Sequence, residues 1–108
     1  MKMVSRIDDV SYMVLRCYLP YLILKVLMVK GSCSAYDVIE VIRQSLNHKF
    51  SAGSVYNTLN VLERKGYVKR SVETPLVELT AEGKALALKA LRESETVTAK
   101  IHGFLKGA

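Results

Sequence analysis

The stretch from Ser34 to Gly66 leaves the chain least conformational choice. Ser34 is a good N-cap for a helix over Ala35 to about Leu46, with Asp37 near its positive end. Tyr36, Val38, Ile39, Ile42 and Leu46 read as one inward face. Asn47-His48-Lys49-Phe50 is then a polar turn with a single apolar plug, and Ser51 caps another helix that runs to about Lys65 and stops at Gly66. Within it Val55, Leu59 and Leu62 fall at i, i+4 and i+7 and must face a core. Two short amphipathic helices therefore meet across a tight turn.

The flanks complete an order of elements. Upstream, Asp8 and Asp9 can cap a helix carrying Val10, Val14, Leu15 and Tyr18. Pro20 is expected to break or restart it, so that Tyr21 to Lys30 forms the apolar centre of the core and Gly31 ends it. Ser32-Cys33-Ser34 is too short for more than a scrap of strand. Downstream, Tyr67 to Val72 and Leu76 to Leu79 are β-prone runs around Glu73-Thr74-Pro75, a hairpin with a short tip. Thr80 caps a last helix reaching Leu105, roughly 37 Å long at about 1.5 Å per residue, more than the rest of a small domain can cover. Helices, a hairpin and a closing helix in this order predict a mainly α (α+β) fold. It is a winged helix-turn-helix with a two-stranded wing and a long C-terminal dimerisation helix. The expected division is a DNA-binding body over 1–80, including the N-terminal helix, and a dimerisation helix over 81–108. A three-helix core with a hairpin also serves as a protein-interaction module without specific DNA binding, which is the competing reading.

With 108 residues there is room for one core and none for a two-domain enzyme. No Gly-rich phosphate loop, no Ser/His/Asp set in a recognisable context and no Cys/His cluster is present, so neither catalysis nor a metal or other cofactor is expected. His48 and His102 have no partner at ligand spacing, and Cys17 and Cys33, both among apolar residues, read as small buried hydrophobes. The Val10 to Val29 run is interrupted by Arg16, Pro20 and Lys25, and the first residues turn acidic at Asp8-Asp9. Neither a membrane span nor a signal peptide is expected, and the expected location is cytoplasmic.

Three segments resemble the PadR-like winged-helix transcriptional regulators. Leu24 to Val38 looks like the family's helix, Gly turn and Tyr-acidic-aliphatic stretch. Ser51 to Val68 is similar to its recognition helix, with Gly-Ser-x-Tyr at Gly53 to Tyr56 and Leu-x-x-Leu-Glu-x-x-Gly at Leu59 to Gly66. Val77 to Lys84 resembles the strand and Leu-Thr-x-x-Gly step into the last helix. The family commonly has His-Gly where this chain has Ser34-Ala35, and Pro at the positions of Ala52 and Asn57. The resemblance implies a dimeric DNA-binding regulator, usually a repressor, whose C-terminal helix makes the dimer and whose interface sometimes holds a small-molecule effector.

The expected DNA-contacting residues follow from both readings. The helix face away from Val55, Leu59 and Leu62 offers Ser54, Asn57, Asn60 and Arg64, short hydroxyl and amide groups of the kind that read base edges. Ser51, Ala52 and Gly53 sit at the helix start, where N–H groups and the dipole favour a phosphate. Tyr56 reaches a phosphate or packs as core; both remain open. Lys49 flanks the helix start. Lys69 and Arg70 lie on the strand leading into the wing, pointing to opposite faces, with Arg70 also able to pair with Glu78 across the hairpin. Leu86, Ala90, Val97, Ile101 and Phe104 are the expected dimer seam, joined by Val10, Val14 and Tyr18.

Charge supports a polyanionic partner only in part. The chain carries +6, but residues 51–74 hold four basic against two acidic groups. Doubling in a dimer to about +12 is the more credible DNA-binding charge. Residues 1–33 hold five basic against two acidic groups, and Lys2 and Arg6 are placed to form an extra phosphate-contacting arm.

Overall fold

The structure is a computed structural model that describes residues 9–107, with side chains from residue 15 onward. The expected Asp8 cap, the Lys2 and Arg6 arm, and the side chains of Val10 and Val14 lie outside the described residues. In chain order the elements are α1 (Asp9–Lys30), β1 (Cys33–Ser34), α2 (Ala35–Leu46), α3 (Ala52–Arg64), β2 (Val68–Arg70), β3 (Leu76–Leu79) and α4 (Ala81–Lys106). This is a mainly helical winged-helix arrangement with a small antiparallel sheet.

Helix α1 passes through Pro20 without a break, against the expectation of two helices. Proline in a helix interior costs roughly 3 kcal/mol through its missing N–H and its clash with the preceding turn. Leu19, Ile23, Leu24, Val26 and Leu27 flank that position and are all buried. At about 1.5–3 kcal/mol for each such side chain, packing outweighs the local penalty. Gly31 ends the helix, its N–H donating to the Leu27 carbonyl at 2.8 Å.

The N-cap Ser34 accepts from the Asp37 N–H at 3.1 Å, and its own N–H donates to the Asp37 carboxylate at 3.2 Å, a reciprocal capping box. Val38, Ile39 and Ile42 point inward as read, whereas Tyr36 is 76% exposed and Leu46 is exposed too. Periodicity assigned both to the inner face, but Tyr36 lies about 60° around the helix from Ile39, outside the buried arc, and Leu46, although on that arc, is the last residue of α2, past the cover of the core. Asn47 takes a left-handed conformation (φ 54) to end α2. The turn then drives Phe50 wholly into the core, with the His48 ring edge-on at 4.7 Å.

The sheet order is β1-β3-β2, all antiparallel. The expected two-stranded wing thus gains a third strand, because Cys33 and Ser34 pair with Val77 and Leu76. Cys33 is buried there; Cys17, expected to be buried, is exposed on α1. The wing's ladder ends at Arg70, and Ser71 to Pro75 form the tip, where Val72 stands free in solvent.

Leu79-Thr80 enters α4 through a tight crossing. The Thr80 N–H donates to the Tyr67 carbonyl (3.1 Å), and its hydroxyl donates to the Gly66 carbonyl (2.6 Å) while accepting from the Gly83 N–H (3.0 Å). Gly83 lies so close to the start of β2 that a Cβ there would sit 1.9 Å from the Tyr67 oxygen. That is the physical content of the Leu-Thr-x-x-Gly motif. Gly83 and Ala87 are buried, and every residue of α4 from Leu91 onward is exposed.

Candidate nucleic-acid interface

Helix α3 is held by an apolar inner face: Val55, Leu59 and Leu62 are buried, and Val68 of β2 closes over its end. Its first turn is tied by Ser51, whose hydroxyl accepts from the Ser54 N–H at 3.1 Å and donates to the Ser54 hydroxyl at 3.0 Å. Thr58 returns its hydroxyl to the Ser54 carbonyl at 2.9 Å. The hydroxyls of Ser51 and Thr58 therefore serve the helix itself, with Ser51 keeping a free face at the N-terminus.

The outer face presents Ala52, Gly53, Tyr56, Asn57, Asn60 and Arg64, all exposed. A Cβ on Gly53 would meet nothing closer than 4.0 Å, so its missing side chain serves no contact inside the protein. Tyr56 is about half exposed, which removes it from the core. Lys49 is exposed in the turn just before α3.

The two wing cations diverge as strand alternation requires. Lys69 faces outward and pairs with Glu78 directly across the ladder at 3.7 Å. Arg70, expected as the alternative partner of Glu78, instead shares the inward side with Val68, and its guanidinium reaches back to α3. Its Nε lies 3.2 Å from Glu63 Oε1, and an NH2 group donates to Asn60 Oδ1 at 2.5 Å. Register decides this: Lys69, not Arg70, stands opposite Glu78. Glu63 enters the sequence reading only as the acidic position of the Leu-x-x-Leu-Glu-x-x-Gly motif, because only the landing of β2 on α3 gives it a partner.

No protein-family model matches the chain, and no curated protein matches it in sequence. Solved structures do. A transcriptional regulator from Clostridium thermocellum is 25% identical with a TM-score of 0.71, covering 94% of this chain and 100% of its own. A PadR family transcription regulator from Clostridium difficile is also 25% identical with a TM-score of 0.66, covering 82% and 98%. The chain is a PadR-like winged-helix protein. A PadR-like transcription factor from Bacteroides fragilis shares the fold at 18% identity, with a TM-score of 0.66 over 90% of this chain and 99% of that one.

In this PadR-like chain, α1 and α4 enclose an apolar groove of about 840 Å³. Tyr18 of α1 and Thr98 of α4 join hydroxyls at 3.0 Å across it. Of the expected seam, Ala90, Val97 and Ile101 line the groove, and Ser94, which interrupts the apolar spacing, lines it too. Leu86 packs on the core instead, and Phe104 is 83% exposed outside the groove. From α1, Cys17, Tyr21 and Met28 are among the other residues of the lining. Sequence spacing missed these three, because they become neighbours of α4 only once Pro20 is absorbed into one continuous helix. Among the described residues no helix is long and apolar enough to cross a membrane, and no group of three or more His, Cys, Asp or Glu side chains could hold a metal ion.

Proposed function

We propose that this protein is a cytoplasmic homodimeric repressor that binds specific duplex DNA through α3. The observation that carries the reading is the division of α3. Three buried apolar side chains fix the helix to a winged-helix body, and its exposed face offers mostly small, amide, phenol and cationic groups, beside Val61 and the Glu63 carboxylate that pairs with Arg70. Exposed N–H groups at Ala52 and Gly53, with the positive helix end, suit a phosphate oxygen. Asn57, Asn60 and Arg64 suit base edges in the major groove, and Lys49, Tyr56 and Lys69 suit flanking backbone phosphates.

Dimerisation is supported by α4. Leu91, Val97 and Ile101 are each at least half exposed on a helix of 26 residues, and the α1–α4 groove beside them is apolar. A second copy laying its own α4 there would bury both stripes by a two-fold operation. In this arrangement residues 1–80 form the DNA-binding body and 81–108 the dimerisation helix. The two α3 helices would enter successive major grooves about 34–36 Å apart, so the operator is a pseudo-palindrome.

Titration of duplex DNA at two salt concentrations tests the reading. Affinity should fall steeply as salt rises, with log K declining by roughly 0.9 per phosphate neutralised. No binding at low salt refutes DNA recognition and favours a protein-interaction module. Equal affinity for unrelated duplexes refutes sequence specificity.

A further inference from the structure

We propose that Arg70 is a positioning residue for DNA recognition. It holds the Asn60 amide with its donor outward, so that α3 reads an acceptor-rich edge (guanine, or the thymine O4) at the Asn60 position and gives up the two-point contact that would favour adenine. The inference rests on the DNA-binding reading above and adds the specificity of one base position.

Strand alternation gives Arg70 the same side of β2 as Val68, the side packed on α3. A guanidinium laid against a helix needs counter-groups: Asn60 Oδ1 accepts from an Arg70 NH2 group at 2.5 Å, and the Glu63 carboxylate, one turn along α3, is an ion-pair partner 3.2 Å from Nε, whose N–H is not aligned for a hydrogen bond. Arg70 is accordingly only 31% exposed. Because guanidinium has donors and no acceptor, the Asn60 atom facing it must be the amide oxygen. The Nδ2 group is therefore the branch left for a ligand, on a residue that is itself exposed on the outer face of α3.

Asparagine recognises adenine by accepting from N6 and donating to N7 at once. That pairing needs Oδ1 and Nδ2 both turned to the base. Here Oδ1 is turned to Arg70, and the ion pair with Glu63 holds the guanidinium against α3, so the amide presents Nδ2 outward and not both of its atoms. An outward Nδ2 group matches guanine best, which offers N7 and O6 side by side; thymine offers O4, and adenine offers N7 only beside an N6 amine that then meets no acceptor.

Selection of the full-length protein on a randomised duplex library, followed by sequencing, tests this with wild type, N60A, R70M and N60D, each first checked for folding by thermal melting. N60A should flatten one base position per half-site, at which wild type prefers guanine or thymine. R70M frees the amide to turn and should raise adenine at that position alone by about tenfold. N60D keeps an oxygen toward Arg70 but turns an acceptor outward, and should move the preference to cytosine or adenine, whose amines donate. Adenine already preferred by wild type, no position altered by N60A, or a uniform loss with R70M across all sequences overturns the proposal. If R70M does not fold, the N60D switch decides alone, and its absence is equally fatal. A wild type that enriches no duplex overturns the DNA-binding reading itself and this inference with it.

Discussion

Replacing Gly83 by alanine adds one methyl group where the backbone of another element already lies. The new Cβ would stand 1.9 Å from the Tyr67 oxygen, 2.9 Å from the Tyr67 carbonyl carbon and 3.2 Å from a Leu79 methyl. The first two contacts are with backbone, which cannot rotate away. The first turn of α4 must therefore withdraw from the start of β2 by more than about an ångström to restore ordinary packing distance. That movement opens the 3.1 Å bond from the Thr80 N–H to the same Tyr67 oxygen and pulls on the Thr80 bond to Gly66. Overpacking costs roughly 1–3 kcal/mol and each lost hydrogen bond about 1 kcal/mol, while alanine regains about 1 kcal/mol of helix propensity. The net loss is about 3 kcal/mol, a large share of the ~5–15 kcal/mol typical of a small domain. Urea unfolding at fixed protein concentration should show the midpoint falling by about 1–2 M. A loss below about 1 kcal/mol with an unchanged slope would refute the claim that close approach, rather than chain flexibility, requires glycine here.

Gly53 supplies the contrast. With open space around its Cβ, G53A should keep or slightly raise stability in the same assay yet weaken DNA binding by crowding the phosphate at the α3 N-terminus; unchanged affinity would remove the phosphate from that site. I101K places a charge on each side of the proposed α4 seam and forfeits about 1.5–3 kcal/mol of burial per copy, so the dimer dissociation constant should rise about hundredfold or more. Light scattering of an unaltered dimer at low micromolar concentration would put the interface elsewhere. Thiol alkylation should separate the cysteines. Cys33 is buried, and burial, reinforced by the nearby Asp37 carboxylate and opposed by Lys30, raises its thiol pKa, so the reactive thiolate is scarcer than for an ordinary cysteine at any given pH. Cys17 is exposed in the α1–α4 groove and should label first, faster in I101K than in the wild-type dimer. Preferential labelling of Cys33 in the native state would contradict the burial.

The helices around the turn were legible because their signals are local. Ser34, Ser51 and Thr80 cap the helices they were expected to cap, and Val55, Leu59 and Leu62 are buried as their spacing demands. Pro20 misled because a local penalty of about 3 kcal/mol is visible in sequence, whereas the five buried neighbours that offset it are a property of the packed state. Tyr36 and Leu46 misled for the converse reason: apolar spacing marks a face, but only neighbouring elements decide how much of its width and of its length is covered.

Sequence alone determined the order of elements from α2 onward, the caps of α2, α3 and α4, the winged-helix class and the outer face of α3, since each follows from side-chain chemistry within a turn or two of backbone. Tertiary structure decided what depends on distant segments meeting. It paired Cys33 with Val77, set Lys69 rather than Arg70 opposite Glu78, brought Cys17 and Tyr21 to the groove beside Ile101, and laid Arg70 between Glu63 and Asn60. Register and close packing choose such partners, and neither is encoded in any one stretch of the chain.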